Sequence, residues 1–290
     1  MVRKAVLTTL LLLLLYSLFI YAFQEHIHRT GLTVQQNNIV KAEEFLYENG
    51  QKADTIVVGS SMSNRLLFDS LPGHYYNLAL EGLSSADGLG LIVQAKHRPR
   101  LLLIETNSMD RLPDTAFFAA LTKPALRVIR KYLPLTRLKY QPVGVVKALF
   151  RDWRAEKIPA GATEAIDTAF VSKLIQARLV DMNRIPPENE MQAKIDVSAA
   201  SIRSLQESGT QVIFFEMPTD PRVRNTILSG RVRKLVGSTF PESAYRYIQF
   251  PSDFYQTTDG VHLPLTECAR YTRYLYTQLS RATVQLTEVR

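Results

Sequence analysis

The stretch TIVVGSSMSN, Thr55 to Asn64, changes character at Gly59. Before the glycine, Thr55, Ile56, Val57 and Val58 form a β-branched run too short for a helix, and a run of that kind stopped by glycine reads as a buried strand ending in a turn. After it come hydroxyl and amide side chains: Ser60, Ser61, Ser63 and Asn64. Outward from this stretch lie two more runs of strand length, Tyr75 to Leu78 and Leu101-Leu102-Leu103-Ile104 before Glu105. Between them, Ser85 to Lys96 suits a crossover helix. Downstream, Met191, Ile195, Ile202 and Leu205 recur at helical spacing, and Gly209 stops that helix before the strand Gln211 to Phe215. A last strand at Tyr247 to Phe250 and a helix after Pro264 complete the alternation. Strands alternating with helices predict an α/β fold: a three-layer, mostly parallel sheet with helices on both faces.

Two segments break the rhythm. From Ala5 to Phe23 the chain is apolar and uncharged, AVLTTLLLLLLYSLFIYAF. At 1.5 Å per residue such a helix covers the roughly 30 Å of a bilayer's hydrocarbon core. Arg3 and Lys4 precede it, which places its start in the cytoplasm and sends the remainder of the chain outward. The following YAFQEHIH offers no small-x-small cleavage site, so the expectation is a retained N-terminal anchor over residues 1–25. His26 and His28 lack further close ligands and read as interfacial residues, not a metal site. Residues 26–290 are expected to form one domain. It carries a helical insertion at about 111–187, broken by Pro113, Pro124, Pro134, Pro142 and Pro159. The insertion's basic residues Arg127, Arg130, Lys131, Arg137 and Lys139 suit a solvated face, a lipid surface or a partner. Its Trp153 can anchor a partner, line a sugar groove or pack.

Composition narrows the class. Hydrophobic residues make up 46% and charged residues 21% of the 290, ordinary for a globular domain. The net charge of +8 permits attraction to anionic lipid, acidic polysaccharide or nucleic acid. No zinc-finger spacing or aromatic and basic single-strand platform supports the last of these, and no nucleic-acid partner is expected. The one cysteine, Cys268, stands at helical spacing with Tyr271, Leu275 and Leu279 and reads as a buried thiol. His74 and His97 have no setting that suggests chemistry.

In parallel sheets functional groups gather just past the strands' carboxyl ends. The residues there are Gly59 to Asn64, Asn77 to Gly82, Glu105-Thr106-Asn107, and Asp259-Gly260-Val261-His262 near the chain's end. A serine hydroxyl becomes a nucleophile when an imidazole takes its proton, and the imidazole needs a carboxylate to hold its tautomer. Asp259 and His262 can supply that pair for Ser61, with Ser63 and Ser60 the next candidates. Main-chain N–H groups at Ser61 and Gly82 and the Asn107 amide are candidates for the oxyanion hole. No metal or organic cofactor is needed for such chemistry.

These four blocks resemble, in order and placement, those of the SGNH (GDSL-like) hydrolase superfamily: a serine block, a glycine, an asparagine and a late Asp-x-x-His. By that resemblance Ser61 is the nucleophile, Gly82 and Asn107 complete the oxyanion hole, and Asp259 and His262 complete the triad. Ser60 replaces the acidic residue of Gly-Asp-Ser, and Asn107 stands in Glu-Thr-Asn-Ser where many members have Gly-x-Asn-Asp. Both departures are similar to the membrane-anchored branch that includes DltD and the alginate O-acetylation proteins. The resemblance covers roughly residues 54–110 and 210–280. It implies an extracytoplasmic, serine-dependent acyltransferase or esterase on the bacterial inner membrane, in the periplasm or outside the cell. The implied role is O-acetylation or other O-acylation of a cell-surface polysaccharide beside a membrane-bound O-acyltransferase. Two rival expectations are a membrane-proximal lipase or thioesterase and a catalytically silent scaffold that binds polymer or partner.

Overall fold

The runs read as strands form one sheet in the computed structural model, which describes residues 1–24, 27, 30–48, 50–155 and 167–287. The strands are β1 Thr55–Val58, β2 Tyr75–Asn77, β3 Leu101–Glu105, β4 Gln211–Phe215 and β5 Arg246–Tyr247. The helices are α1 Val2–Phe23, α2 Val34–Tyr47, α3 Ser85–Ala95, α4 Thr115–Thr122, α5 Pro124–Tyr132, α6 Pro142–Ala155, α7 Thr168–Met182, α8 Glu188–Glu207, α9 Pro221–Arg224, α10 Ile227–Thr239 and α11 Leu265–Thr287. The sheet has the order β2-β1-β3-β4-β5, and every adjacent pair is parallel. This is an α/β fold whose sheet is wholly parallel.

The chain divides into two compact units, residues Met1–Asn49 with Thr115–Thr163 and residues Gly50–Asp114 with Glu164–Arg290. The second holds the sheet. Its register sets Val57 beside Leu103 and Leu103 beside Ile213, so these side chains form one row. That row packs on Cys268, Tyr271, Leu275 and Leu279, the apolar stripe of α11. Burial pushes the Cys268 thiol up to about 11, so it is a protonated core side chain at neutral pH. One residue along, Val58 faces Gly88 of α3, where an added Cβ would come within 2.8 Å of the valine methyl. The missing side chain lets α3 ride close on β1.

The last strand is shorter and earlier than the sequence pattern predicts. It comprises Arg246–Tyr247 instead of Tyr247 to Phe250, and the ladder ends after the Ile248 N–H donates to the Phe214 carbonyl at 2.8 Å. Pro251 then restricts the preceding residue and offers no donor of its own.

The stretch from residue 111 to 187 holds helices and no strand among the described residues. Pro124 and Pro142 open α5 and α6, where a missing N–H costs nothing. Helices α4 to α6 group with α1 and α2, whereas α7 belongs to the sheet unit. Pro159, His26 and His28 lie outside the described residues, as does the Trp153 side chain.

Within the first unit α1 is 22 residues long with a mean hydropathy of 2.3, enough in length and composition to cross a membrane. Most of it is exposed. One side of its last turns is covered: Tyr16, Phe19 and Ile20 pack with Ile27, Leu135, Tyr140 and Val145, and the Tyr16 hydroxyl donates to the Tyr140 carbonyl at 2.7 Å.

Candidate active site

The serine turn is built around a buried carboxylate. Glu105 ends the otherwise apolar run of β3 and has no exposed surface. Its side chain accepts the Ser60 N–H at 2.8 Å, the Ser60 hydroxyl at 2.7 Å, the Ser63 N–H at 3.3 Å and the Ser63 hydroxyl at 2.5 Å. Such a set of donors offsets the desolvation of a buried carboxylate and binds the turn to the next strand. Gly59 makes room for it, since a Cβ there would lie 2.1 Å from the Ser63 hydroxyl oxygen and 2.5 Å from a Glu105 oxygen. Ser60 and Ser63 are therefore committed to Glu105. Ser61 is the serine left to face outward.

The partner loop is closed by its own hydrogen bonds. The Thr258 N–H donates to the His262 carbonyl at 2.8 Å, and the Gly260 N–H donates to the Thr257 hydroxyl at 3.1 Å. Gly260 has a φ of +95°, a region costly for residues with a side chain, and Ile175 and Val223 crowd the place a Cβ would take. One Asp259 oxygen accepts the N–H groups of Val261 at 3.1 Å and His262 at 2.8 Å, which orients the carboxylate inside its own turn.

This loop brings the histidine onto Ser61. His262 Nδ1 lies 2.7 Å from Asp259 Oδ2, and His262 Nε2 lies 2.8 Å from Ser61 Oγ. A carboxylate only accepts, so the ring proton sits on Nδ1 and the Nε2 lone pair receives the serine hydroxyl. Burial alone would raise the Asp259 carboxyl. The hydrogen bonds from the His262 ring and from the main-chain N–H groups of His262 and Val261 outweigh it and hold the group well below the usual carboxylate range. Asp259 is thus ionised wherever the imidazole can act as a base. Chemically, the row can pass the serine proton to His262 while Asp259 stabilises the imidazolium that forms.

The oxyanion candidates stand in different states. The main-chain N–H groups of Ser61 and Gly82 have no acceptor among the described residues. Gly82 is exposed with a φ of +72°. Asn107 is held at both ends by one residue: its Oδ1 accepts the Met217 N–H at 2.7 Å, and its Nδ2 donates to the Met217 carbonyl at 3.1 Å. It braces the loops after β3 and β4, and one Nδ2 hydrogen remains for a further acceptor.

Two contributors have no place in the sequence motif. Glu105 was visible as an acid at the inner end of an all-apolar strand, a position that demands donors once the strand is buried. Arg178 of α7 gave no such signal. Its Nη2 lies 3.1 Å from Asp259 Oδ2, the oxygen that His262 also uses. No group of three or more His, Cys, Asp or Glu side chains that could hold a metal ion occurs among the described residues. No protein-family model, curated protein or solved structure matches this chain.

Proposed function

We propose that this protein is a serine-dependent acyltransferase or esterase of the SGNH type, held in the membrane by α1 with its sheet unit outside the cytoplasm. The observation that carries the reading is the row Ser61, His262, Asp259 with links of 2.8 and 2.7 Å. The packing of α11 on one row of strand side chains and of α3 on the alternate one supports a three-layer arrangement of that type. Arg3 and Lys4 before the apolar helix support single-pass anchoring with the start in the cytoplasm.

In this reading Ser61 Oγ attacks an acyl carbonyl as its proton moves to His262 Nε2, and the tetrahedral oxyanion takes the free N–H groups of Ser61 and Gly82 and the spare Asn107 hydrogen. The imidazolium returns its proton to the departing alkoxide, which leaves an acyl-serine. An acceptor hydroxyl then repeats the sequence in reverse. A cell-surface polysaccharide hydroxyl makes the protein a transferase, with a membrane-bound O-acyltransferase as the fitting acyl source; water makes it an esterase.

Hydrolysis of p-nitrophenyl acetate by the full chain in detergent tests the triad. Ser61→Ala and His262→Ala should each lower turnover by at least about 10³-fold. Turnover equal to the parent's in either variant would sink the reading.

A further inference from the structure

Helix α5, with the sequence PALRVIRKY, has no buried residue. At 100° per residue, Leu126, Ile129 and Leu133 fall on one side with Val128 and Tyr132 beside them, and Arg127, Arg130 and Lys131 fall opposite. The apolar side is bare: Val128 is 60% exposed, Tyr132 72% and Leu133 49%. A helix of this kind gains nothing from water on that face and loses the transfer free energy of burying it. Helix α6 carries a second bare stripe, with Val143 63%, Val146 54% and Leu149 43% exposed.

What covers the face follows from its neighbour. The Pro134–Thr136 turn comes directly after α5, and its Leu135 packs with Tyr16, Phe19 and Ile20 of α1. From Lys4 to Phe19 an α-helix rises about 22 Å, so these contacts lie in the last turns of a span that needs about 30 Å. Tyr16, Tyr21 and Phe23 occupy the same end, where aromatic side chains favour the headgroup level. The chain therefore leaves α5 roughly 6 to 12 Å inside the far edge of that span, about as deep as an interfacial helix buries its apolar side.

We infer that α5 lies flat in that bilayer interface, with its apolar side at the acyl boundary and Arg127 and Lys131 toward anionic phospholipid headgroups. The inference rests on α1 spanning the membrane. Nine residues form too short a helix to hold a membrane alone, but attachment to a spanning helix makes the contact intramolecular and supplies the effective concentration. Arg130 is turned the other way, its Nη1 donating to the Ala120 carbonyl at 3.0 Å and its Nε 3.3 Å from Glu43. Arg127 and Lys131 are exposed, and the lipid-facing charge is assigned to them.

The test uses the full chain in phosphatidylcholine vesicles with and without phosphatidylglycerol. Native Cys268 is buried, so an environment-sensitive thiol dye reports from an introduced cysteine. Three single variants are labelled: Val128→Cys on α5, Leu12→Cys in α1, and Val197→Cys on α8 as a water-exposed reference. The Val128→Cys label should shift to the blue and be quenched by brominated acyl chains, more strongly with phosphatidylglycerol present, while the Val197→Cys label stays as in water. Adding Arg127→Gln and Lys131→Gln should abolish the dependence on phosphatidylglycerol. Quenching at Leu12→Cys without quenching at Val128→Cys overturns the inference and leaves the spanning helix intact; no quenching at either position overturns both. A Val128→Cys response indifferent to phosphatidylglycerol overturns the headgroup contact.

Discussion

Among the described residues each unit buries one glutamate completely, and the two side chains serve different ends. Glu105 in the sheet unit meets four donors from two serines a few residues apart, all N–H or O–H groups of one turn. Glu43 in the helical unit accepts the Leu138 N–H at 2.7 Å and the Lys139 N–H at 3.4 Å, with Arg130 Nε 3.3 Å away and not aligned for a hydrogen bond. Burial raises the Glu43 carboxyl to about 7, more than the Arg130 charge and the two N–H groups lower it. A carboxylate ringed by short local donors makes a template for a loop. One that depends on a poorly aligned cation becomes a proton-binding site near neutral pH.

The largest expected effect probes what the Glu105 template is for. If the serine turn is held for catalysis, Asp259→Asn, which leaves the fold in place but favours the wrong imidazole tautomer, should lower kcat for p-nitrophenyl acetate by about 10³ to 10⁴-fold. A loss under tenfold would reduce the turn to a structural feature.

Glu43 supplies the next test. Its proton is held more tightly in the folded chain than at its ordinary 4.5, so stability should fall as pH rises from about 4.5 to about 7 and level off above. The total is on the order of 3 kcal/mol. Glu43→Gln should flatten that slope in urea midpoints measured across the range; a parent with no slope would erase the contrast between the two glutamates.

Glu105→Gln sharpens the same contrast from the other side. An amide would set its own N–H group among the N–H and O–H donors of Ser60 and Ser63, costing about 2 kcal/mol of stability. The turn that carries Ser61 should loosen with it, lowering kcat with little change in KM. Equal thermal stability of variant and parent would show that the four contacts are not needed.

Arg178→Gln should do least. The pair it forms with Asp259 is 37% exposed on the arginine side, and exposed ion pairs are worth about 1 kcal/mol or less. A change in turnover beyond roughly fivefold would promote Arg178 from bystander to a determinant of the Asp259 charge.

Much of this arrangement was legible in the chain. Strands β1, β3 and β4 are compact apolar runs that cannot be exposed, the anchor-length helix needs only counting, and Asp259 and His262 lie three apart so that one turn brings them together. The preference for Ser61 came from its place in the motif; what sets Ser60 and Ser63 apart was not legible, because it depends on which hydroxyls Glu105 claims across 42 to 45 residues of sequence. The last strand was expected at Tyr247 to Phe250, but the bounds of β5 were not legible because two residues paired at a sheet edge leave no periodicity to read.

Residue order dictates the local things: which segments are apolar enough to be buried or to span a bilayer, and which side chains have the chemistry to move a proton. Which of them meet is set by the folded arrangement. Glu105 against the serine turn, Arg178 against Asp259 and Asn107 against Met217 each join residues distant in the chain, and such contacts follow from the stacking of strands and helices, on which neighbouring residue types carry no information.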